Sequence, residues 1–253
     1  MLQEAHFSKD ITDEKDLSAL PLPVKNWLAR SGVIGKEAIH TVYLQQDLEM
    51  KTQPDQVDWV IGQADQYFSV NPPAFNWSLD LKLNPILSMK ARDKYANGKG
   101  EMLIKIGATI PVVDTGNTEK VNQATLQRYL AEIVWFPSAA LSPYISWEQL
   151  DNHSAKATMT FGGVEGSGIF YFDENGDFEK FLTMRFKEAT DDQPTPWKVH
   201  TIKTGELNGI RMPLESEASW ELENKDWTWL RVKIKSAEYN VKSGTADPEQ
   251  VGS

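Results

Sequence analysis

Asn122-Gln123-Ala124-Thr125-Leu126-Gln127-Arg128-Tyr129-Leu130-Ala131-Glu132-Ile133-Val134-Trp135-Phe136-Pro137 is the stretch that decides the fold of this 253-residue chain. Its apolar side chains recur at i, i+3, i+4, i+7 and i+8, which is the spacing of one helix face: Leu126, Tyr129, Leu130, Ile133 and Val134. Asn122 is a suitable N-cap for this helix, and Pro137 ends it. The apolar stripe needs a surface to pack against, and the rest of the chain offers a sheet.

Outward from this helix, short segments alternate apolar and polar residues, which is the pattern of half-buried strands. We predict strands at Val42–Lys51, Trp59–Val70, Phe75–Leu83, Leu87–Tyr95, Met102–Ile106, Ala155–Phe161, Ile169–Phe172, Phe178–Phe186, Trp197–Thr204, Ile210–Leu222 and Trp227–Val241. Type I′ hairpin turns are predicted at Asn97-Gly98, Asn175-Gly176 and Asn208-Gly209, because both central residues of such a turn take a positive φ. The fold class is therefore mainly β (α+β): a curved antiparallel sheet, or unclosed β-barrel, that wraps one amphipathic helix.

A short helix is predicted near the start of the chain. Leu20–Gly32 has prolines at its beginning, apolar residues at helical spacing and a glycine at its end. Residues 1–19 are expected to form an N-terminal extension, and residues 20–242 a single β-rich domain. Residues 243–253 are polar and aperiodic, so we expect a flexible tail.

Composition and charge exclude several function classes. The formal charge is −10 with a sequence pI near 5.0, so a nucleic-acid partner is not expected. The chain has no cysteine, and its four histidines lack the spacing of a metal site, so no metal and no cofactor is expected.

No apolar run reaches the length of a membrane span, and the first residues do not resemble a signal peptide. The chain as written therefore indicates a cytoplasmic protein. Membrane association, or an exported or membrane-anchored form, stays open if the N-terminus was trimmed.

Four groups of residues carry a resemblance to a known family: Leu20–Val33, Arg128–Pro137, Pro194–Trp197 and Ser236–Asn240. In this order they resemble an uncharacterised bacterial family that is catalogued as a domain of unknown function. The resemblance implies a fold and brings no catalytic or binding residues with it. Gly209–Pro213, followed by the strand Trp229–Tyr239, is also similar to the lipoprotein-carrier superfamily of unclosed β-barrels. That second likeness implies a sheet that wraps helices around a cavity for acyl chains.

The candidate site is centred on the predicted helix. Arg128 and Glu132 are four residues apart and are expected to form an ordinary helical ion pair. If the sheet encloses both faces of the helix, Arg128 becomes a buried cation that can grip a carboxylate or phosphate head group. The nine tryptophans are expected either to fill the core or to border a cavity. The predicted ligand-binding residues are Arg128, Glu132, Trp135, Phe136, Trp77 and Trp197.

Two other motifs are better explained by structure than by chemistry. Asp151-Asn152-His153-Ser154 contains the residue types of a catalytic triad, but near neighbours in sequence diverge, so a polar turn is predicted. Gly162–Gly168 is not followed by the Lys-Ser/Thr pair of a phosphate-binding loop, so a loop or a strand bulge is predicted. No catalytic residue is assigned.

The leading functional hypothesis is noncatalytic binding of an apolar or amphipathic small molecule, such as a lipid or fatty acyl chain, between sheet and helix. One alternative is an enzyme, a hydrolase or isomerase, that uses the same cavity. Another is a structural or protein-interaction domain with a solid core. An internal cavity would exclude the solid core, and convergent titratable groups would favour the enzyme.

Overall fold

A computed structural model describes residues 11–84, 87–106, 110–223 and 225–241. The thirteen strands in this part of the chain form one antiparallel sheet. They are β1 (Thr41–Met50), β2 (Val60–Ser69), β3 (Ala74–Asn84), β4 (Leu87–Ala96), β5 (Lys99–Ile106), β6 (Ile110–Gly116), β7 (Ile145–Gln149), β8 (Ser154–Phe161), β9 (Val164–Phe172), β10 (Phe178–Arg185), β11 (Thr195–Leu207), β12 (Ile210–Leu222) and β13 (Lys225–Tyr239). The helices are α1 (Leu22–Ser31) and α2 (Glu119–Glu132), with 3₁₀ turns at Glu14–Leu17, Ile133–Trp135 and Pro137–Leu141.

The chain enters the sheet at its middle. The strand order is β6-β5-β4-β3-β2-β1-β13-β12-β11-β10-β9-β8-β7, so the first six strands zigzag outward from β1 to one edge. α2 then leads across to the other edge at β7, and the remaining strands zigzag back until β13 pairs with β1. Because α2 connects the two edges of one curved sheet, it lies inside the curve. The predicted fold class is confirmed.

α2 is enclosed on both of its faces. It packs against β4 and β5 near one end of the sheet and against β8, β9 and β10 near the other. Leu126, Leu130 and Ile133 are fully buried, as predicted. Gln127 is buried as well, and its side-chain amide donates to Thr183 Oγ1 at 2.8 Å. A helix that is covered all round explains why its polar side chains find partners within the protein.

Two hairpin tips bring the halves of the sheet together. A Cβ added at Gly98, in the β4–β5 turn, would lie 2.8 Å from the carbonyl oxygen of Gly162, in the β8–β9 turn. Real Cβ atoms do not approach so closely, and both glycines also have a positive φ. The two halves therefore touch through these turns without strand pairing between β6 and β7, so the sheet stays unclosed.

The start of α2 differs from the prediction, since Asn122 is not its N-cap. The helix begins at Glu119, and the Thr118 hydroxyl accepts the cap hydrogen bond from the Val121 backbone N–H at 3.3 Å. The Asn122 side chain instead accepts a hydrogen bond from the Gly100 backbone N–H at 2.8 Å. Asn122 therefore ties the helix to β5.

Two of the three predicted turns are confirmed in detail. Asn97-Gly98 and Asn208-Gly209 each have two positive φ angles within a hairpin. Asn175-Gly176 also lies in a hairpin, between β9 and β10, but only Gly176 has a positive φ. The Asp173 carboxylate accepts hydrogen bonds from the backbone of Asn175 and Asp177 and shapes a longer turn. The type I′ prediction was therefore wrong at this site.

The remaining differences are two strands that the sequence did not predict, β6 and β7, and several element bounds. Gly162 and Gly163 form a tight turn, and β9 begins directly after them, where a loop or bulge was predicted through Gly168. β13 begins at Lys225, two residues earlier than predicted. Thr12 and Leu17, in the predicted N-terminal extension, are buried. Residues 1–10 and the predicted tail at 243–253 lie outside the described residues. None of the described helices is long and apolar enough to cross a membrane.

Candidate functional site

A buried ion cluster lies where α2 faces β3 and β4. Arg128 Nη1 donates to Asp93 Oδ2 at 2.5 Å, and Arg128 Nε donates to Glu132 Oε1 at 2.8 Å. The side chains of Arg128, Asp93 and Glu132 are 15%, 4% and 12% exposed. The guanidinium also lies over the rings of Trp77 and Phe75, 4.8 and 5.0 Å from their centroids. The predicted helical ion pair is therefore present, buried, and joined by a carboxylate from β4.

The polar contacts continue from this cluster into the sheet. Gln66 donates to Glu132 Oε2 at 2.8 Å, and Gln46 donates to Gln66 Oε1 at 2.9 Å. Trp77 Nε1 then donates to Gln46 Oε1 at 3.0 Å. The Glu132 carboxylate is thus bound through both of its oxygens. A group held in this way is a fixed ion-pair partner rather than a free general base.

The electrostatics of the cluster follow from burial and pairing. Burial alone would lower the pKa of the Arg128 guanidinium, but Glu132 and Asp93 together raise it. Burial raises the pKa of the Glu132 carboxyl, while the adjacent Arg128 opposes that shift. Two of the donor nitrogens of Arg128 are occupied by protein carboxylates, so an external head group would have to compete with Asp93 and Glu132.

Trp135 and Phe136 lie away from this cluster, in the 3₁₀ region after α2. Phe136 is fully buried, and its ring centroid lies 4.7 Å from Phe68 and 5.8 Å from Tyr129. Trp135 is 6% exposed and lies 6.4 Å from the same Phe68 ring. These contacts place both predicted site residues in a packed aromatic core.

Trp197 belongs to a third group, together with an arginine that the sequence analysis did not assign. Arg185, at the end of β10, holds its guanidinium over the rings of Trp197 and Trp220, 4.7 and 5.6 Å from their centroids. Its Nε donates to the backbone carbonyl of Ala124 in α2 at 2.9 Å. Burial lowers the pKa of Arg185 to about 10. The alternation of Phe181, Thr183 and Arg185 along β10 is the sequence signal that places this arginine on the inner face.

Part of the inner face of the sheet is apolar and only half-buried. Pairing connects Met89 on β4, through Leu81, Gly62 and Leu48, to Val232 on β13, so these residues share one face. Tyr95, on the same face of β4, contacts α2 through Tyr129 and is fully buried. The side chains farther along the strands are partly exposed. We call them the inner apolar patch: Val60, Leu83, Met89, Ala91, Ile104, Ile106, Val199, Trp227, Leu230 and Val232.

Two surface pockets lie elsewhere. One, of about 310 Å³, lies between α1 and the β9–β10 turn and is lined by polar side chains such as Asn26, His153 and Asp173. The other, of about 840 Å³, lies on the outer face of β1–β3 and β11–β13 and is lined by charged side chains such as Glu49 and Arg231. None of the six predicted ligand-binding residues lines either pocket.

The sequence matches a family model over residues 18–239, and that model is described as a family of unknown function, DUF6920. The chain belongs to this family. No curated protein matches it in sequence. The fold is similar to a crystal structure of a β-barrel-like protein from Brucella abortus, a domain of unknown function called DUF1849, with a TM-score of 0.31. The two chains are 10% identical, and the similarity covers 80% of this chain and 98% of the other.

The six predicted residues of this DUF6920 domain thus fall into three places. Arg128, Glu132 and Trp77 meet in the ion cluster, whereas Trp135 and Phe136 pack in the aromatic core. Trp197 lies beside Arg185. Two further features stand outside these predictions: the inner apolar patch, which is partly exposed, and Arg185, which has no ion-pair partner among the described residues.

Proposed function

We propose that this domain binds a hydrophobic or amphipathic small molecule, of lipid or fatty acyl type, on the concave face of its sheet and without catalysis. The observation that carries the proposal is the inner apolar patch. A curved sheet around a packed core normally buries its inner face completely, and apolar side chains left partly exposed there favour ligand binding.

The binding position in this proposal differs from the position expected from the sequence. The space next to Trp135 and Phe136 is occupied by aromatic rings in contact with one another. The inner apolar patch lies farther along the strands, beyond the ion cluster. Arg128 and Trp77 would therefore form the inner end of the binding site, and Trp197 one of its sides.

The noncatalytic part of the proposal is supported by the state of the buried carboxylates. Asp93 and Glu132 both accept hydrogen bonds from Arg128, and Glu132 accepts a further one from Gln66. A general base needs a lone pair directed at a substrate proton. These carboxylates direct their oxygens at protein donors instead.

The test uses N-phenyl-1-naphthylamine, an uncharged apolar dye whose fluorescence increases in apolar surroundings. We expect saturable binding of one dye per chain, with a dissociation constant on the order of micromolar. Val232→Gln adds a polar group to the inner apolar patch and should weaken binding about tenfold. Lys233→Gln is the matched control, because Lys233 is the next residue of β13 and faces outward.

Equal effects of the two substitutions would contradict the proposed position. Absence of saturable binding for this dye and for fatty acids and sterols would contradict the proposed function itself. Circular dichroism of each variant would show that the sheet is intact, so that a loss of binding reports on the site rather than on unfolding.

A further inference from the structure

Arg185 differs from Arg128 in what surrounds its charge. In the described part of the chain, Arg185 forms no ion pair, and its one hydrogen bond runs from Nε to the Ala124 carbonyl. Among the described residues, no acceptor binds the two terminal nitrogens of the guanidinium. Arg185 is half-buried, so its charge is partly withdrawn from water, and an external anion at the terminal nitrogens would compensate it.

The tryptophans around Arg185 also carry unused donors. The indole N–H groups of Trp197 and Trp227 are buried and have no hydrogen-bond partner among the described residues. Trp197 pairs with Trp220 across β11 and β12, and Trp220 pairs with Trp227 across β12 and β13. The three rings therefore form one row on neighbouring strands, with Arg185 over its first two members. A buried donor without a partner is unfavourable, so a ligand oxygen that accepted from these indoles would be stabilised.

This row lies beside the inner apolar patch. Trp227 belongs to the patch, and Val199, another member, is two residues beyond Trp197 on the same face of β11. Cation and hydrocarbon surface are thus next to each other. That arrangement fits a molecule with one anionic end and one apolar chain.

We propose that Arg185 binds the anionic oxygen head group, a carboxylate or a phosphate, of an amphipathic ligand whose hydrocarbon chain lies on the inner apolar patch. This inference rests on the proposed function and adds the chemical class of the ligand. The planar guanidinium offers paired N–H donors to two oxygens, and its face is held by Trp197 and Trp220. The ligand anion compensates a charge that the sheet leaves unpaired.

Three other charged groups lie near enough to Arg185 to affect its charge. Asp93 and Glu132 act on Arg185 through space and raise its pKa, whereas Arg128 lowers it. These three groups are bound to one another and leave the terminal nitrogens of Arg185 unoccupied. The head group therefore meets Arg185 rather than Arg128, which already holds two carboxylates.

The experiment measures how dodecanoate, dodecyl phosphate and dodecanol displace N-phenyl-1-naphthylamine from the full chain. For the unaltered protein, we expect at least one of the two anions to bind about tenfold or more tightly than the alcohol. Arg185→Gln should weaken binding of that anion by about tenfold and leave dodecanol within about twofold. Arg92→Gln is the matched control, because it removes an arginine charge from the exposed face of β4.

The possible results separate the anionic head group at Arg185 from the proposed binding function. Equal binding of the alcohol and both anions would overturn the anionic head group and leave the proposed function standing, whereas no binding of any of them or of the dye would overturn both. An equal loss for anion and alcohol in Arg185→Gln would mean that Arg185 only shapes the site, which also overturns the inference.

If the Arg185→Gln variant does not fold, Arg185→Lys replaces it. This variant keeps the charge and loses the paired donors, so selectivity for the anion should fall and not vanish. Preference for one anion identifies its source as a fatty acid or a phosphorylated lipid.

Discussion

At the scale of single residues, the interior of this sheet holds two guanidinium groups in different electrostatic environments. Arg128 is compensated by Asp93 and Glu132 and stabilises the junction of α2 with β4. Arg185 is stacked on tryptophan and has no carboxylate of its own in the described chain. The same side chain thus has two roles here: Arg128 is paired within the fold, and Arg185 is the arginine to which we assign the ligand.

Replacing Arg128 by Met should cost about 3–5 kcal/mol of unfolding free energy, because it leaves buried carboxylates without their cation. Urea unfolding of the two proteins measures the difference. Lys90→Met is the control: Lys90 is 67% exposed and lies 4.0 Å from Asp80, so its loss should cost less than about 1 kcal/mol. A loss at Arg128 as small as that at Lys90 would show that water, rather than the guanidinium, solvates Asp93 and Glu132.

At the scale of elements, α2 connects the two edges of the sheet and fills the space between them. Leu130, in its last turn, is fully buried. Leu130→Ala should therefore lower the unfolding free energy by about 2–5 kcal/mol, as a cavity in a packed core does. Leu150→Ala makes the same chemical change at a site that is 47% exposed and should cost much less. Similar losses for both variants would contradict the enclosed position of the helix.

The sequence predicted the apolar stripe of α2 correctly, because periodicity is a local signal. It misplaced the N-cap, because Asn122 and Thr118 are both suitable capping residues and only the contact of Asn122 with Gly100 separates them. The same holds for Asn175-Gly176, where the hydrogen bonds of the nearby Asp173 override the preference of the dipeptide. Local patterns therefore predicted which elements form, and contacts between residues decided their ends.

At the scale of the whole molecule, the pairing of β1 with β13 could not be predicted from the sequence of either strand. It results from the two zigzags of strands that α2 joins at their far edges. In the candidate site, too, local sequence patterns predict some contacts and miss those between distant parts of the chain. The pairing of Arg128 with Glu132 follows from their spacing along a helix, whereas Asp93 and Arg185 reach the interior through strand register. Sequence reasoning placed the ligand space beside Trp135 and Phe136, and the packing of these rings against Phe68 follows from contacts that the sequence pattern does not show.

The buried phenols connect this architecture to the behaviour of the whole protein at alkaline pH. Burial raises the pKa of Tyr95, Tyr129 and Tyr239, which lie on β4, α2 and β13. In the unfolded chain, a tyrosine loses its proton near pH 10, so the folded protein retains protons that the unfolded chain releases. Their contribution to stability is therefore complete below about pH 10 and is lost as the pH rises above it. Arg185 has the opposite sign, since its lowered pKa makes the unfolded chain the stronger proton binder, but it is one group against several phenols.

We expect the unfolding free energy to fall steeply above about pH 10, with tyrosinate absorbance and loss of β-sheet circular dichroism appearing together.

Tyr95→Phe tests whether the buried tyrosines cause this alkaline loss of stability. The Tyr95 hydroxyl is buried and has no hydrogen-bond partner in the described part of the chain, so its removal should leave stability at neutral pH unchanged or higher. The same change removes one titrating group and should reduce the alkaline slope by up to about 1.4 kcal/mol per pH unit. Tyr129→Phe is the comparison, because it also loses a hydrogen bond to the Ser69 carbonyl and should cost stability at neutral pH. Full tyrosinate absorbance in a protein that keeps its native circular dichroism would show that these phenols are open to solvent, contrary to the enclosed interior described above.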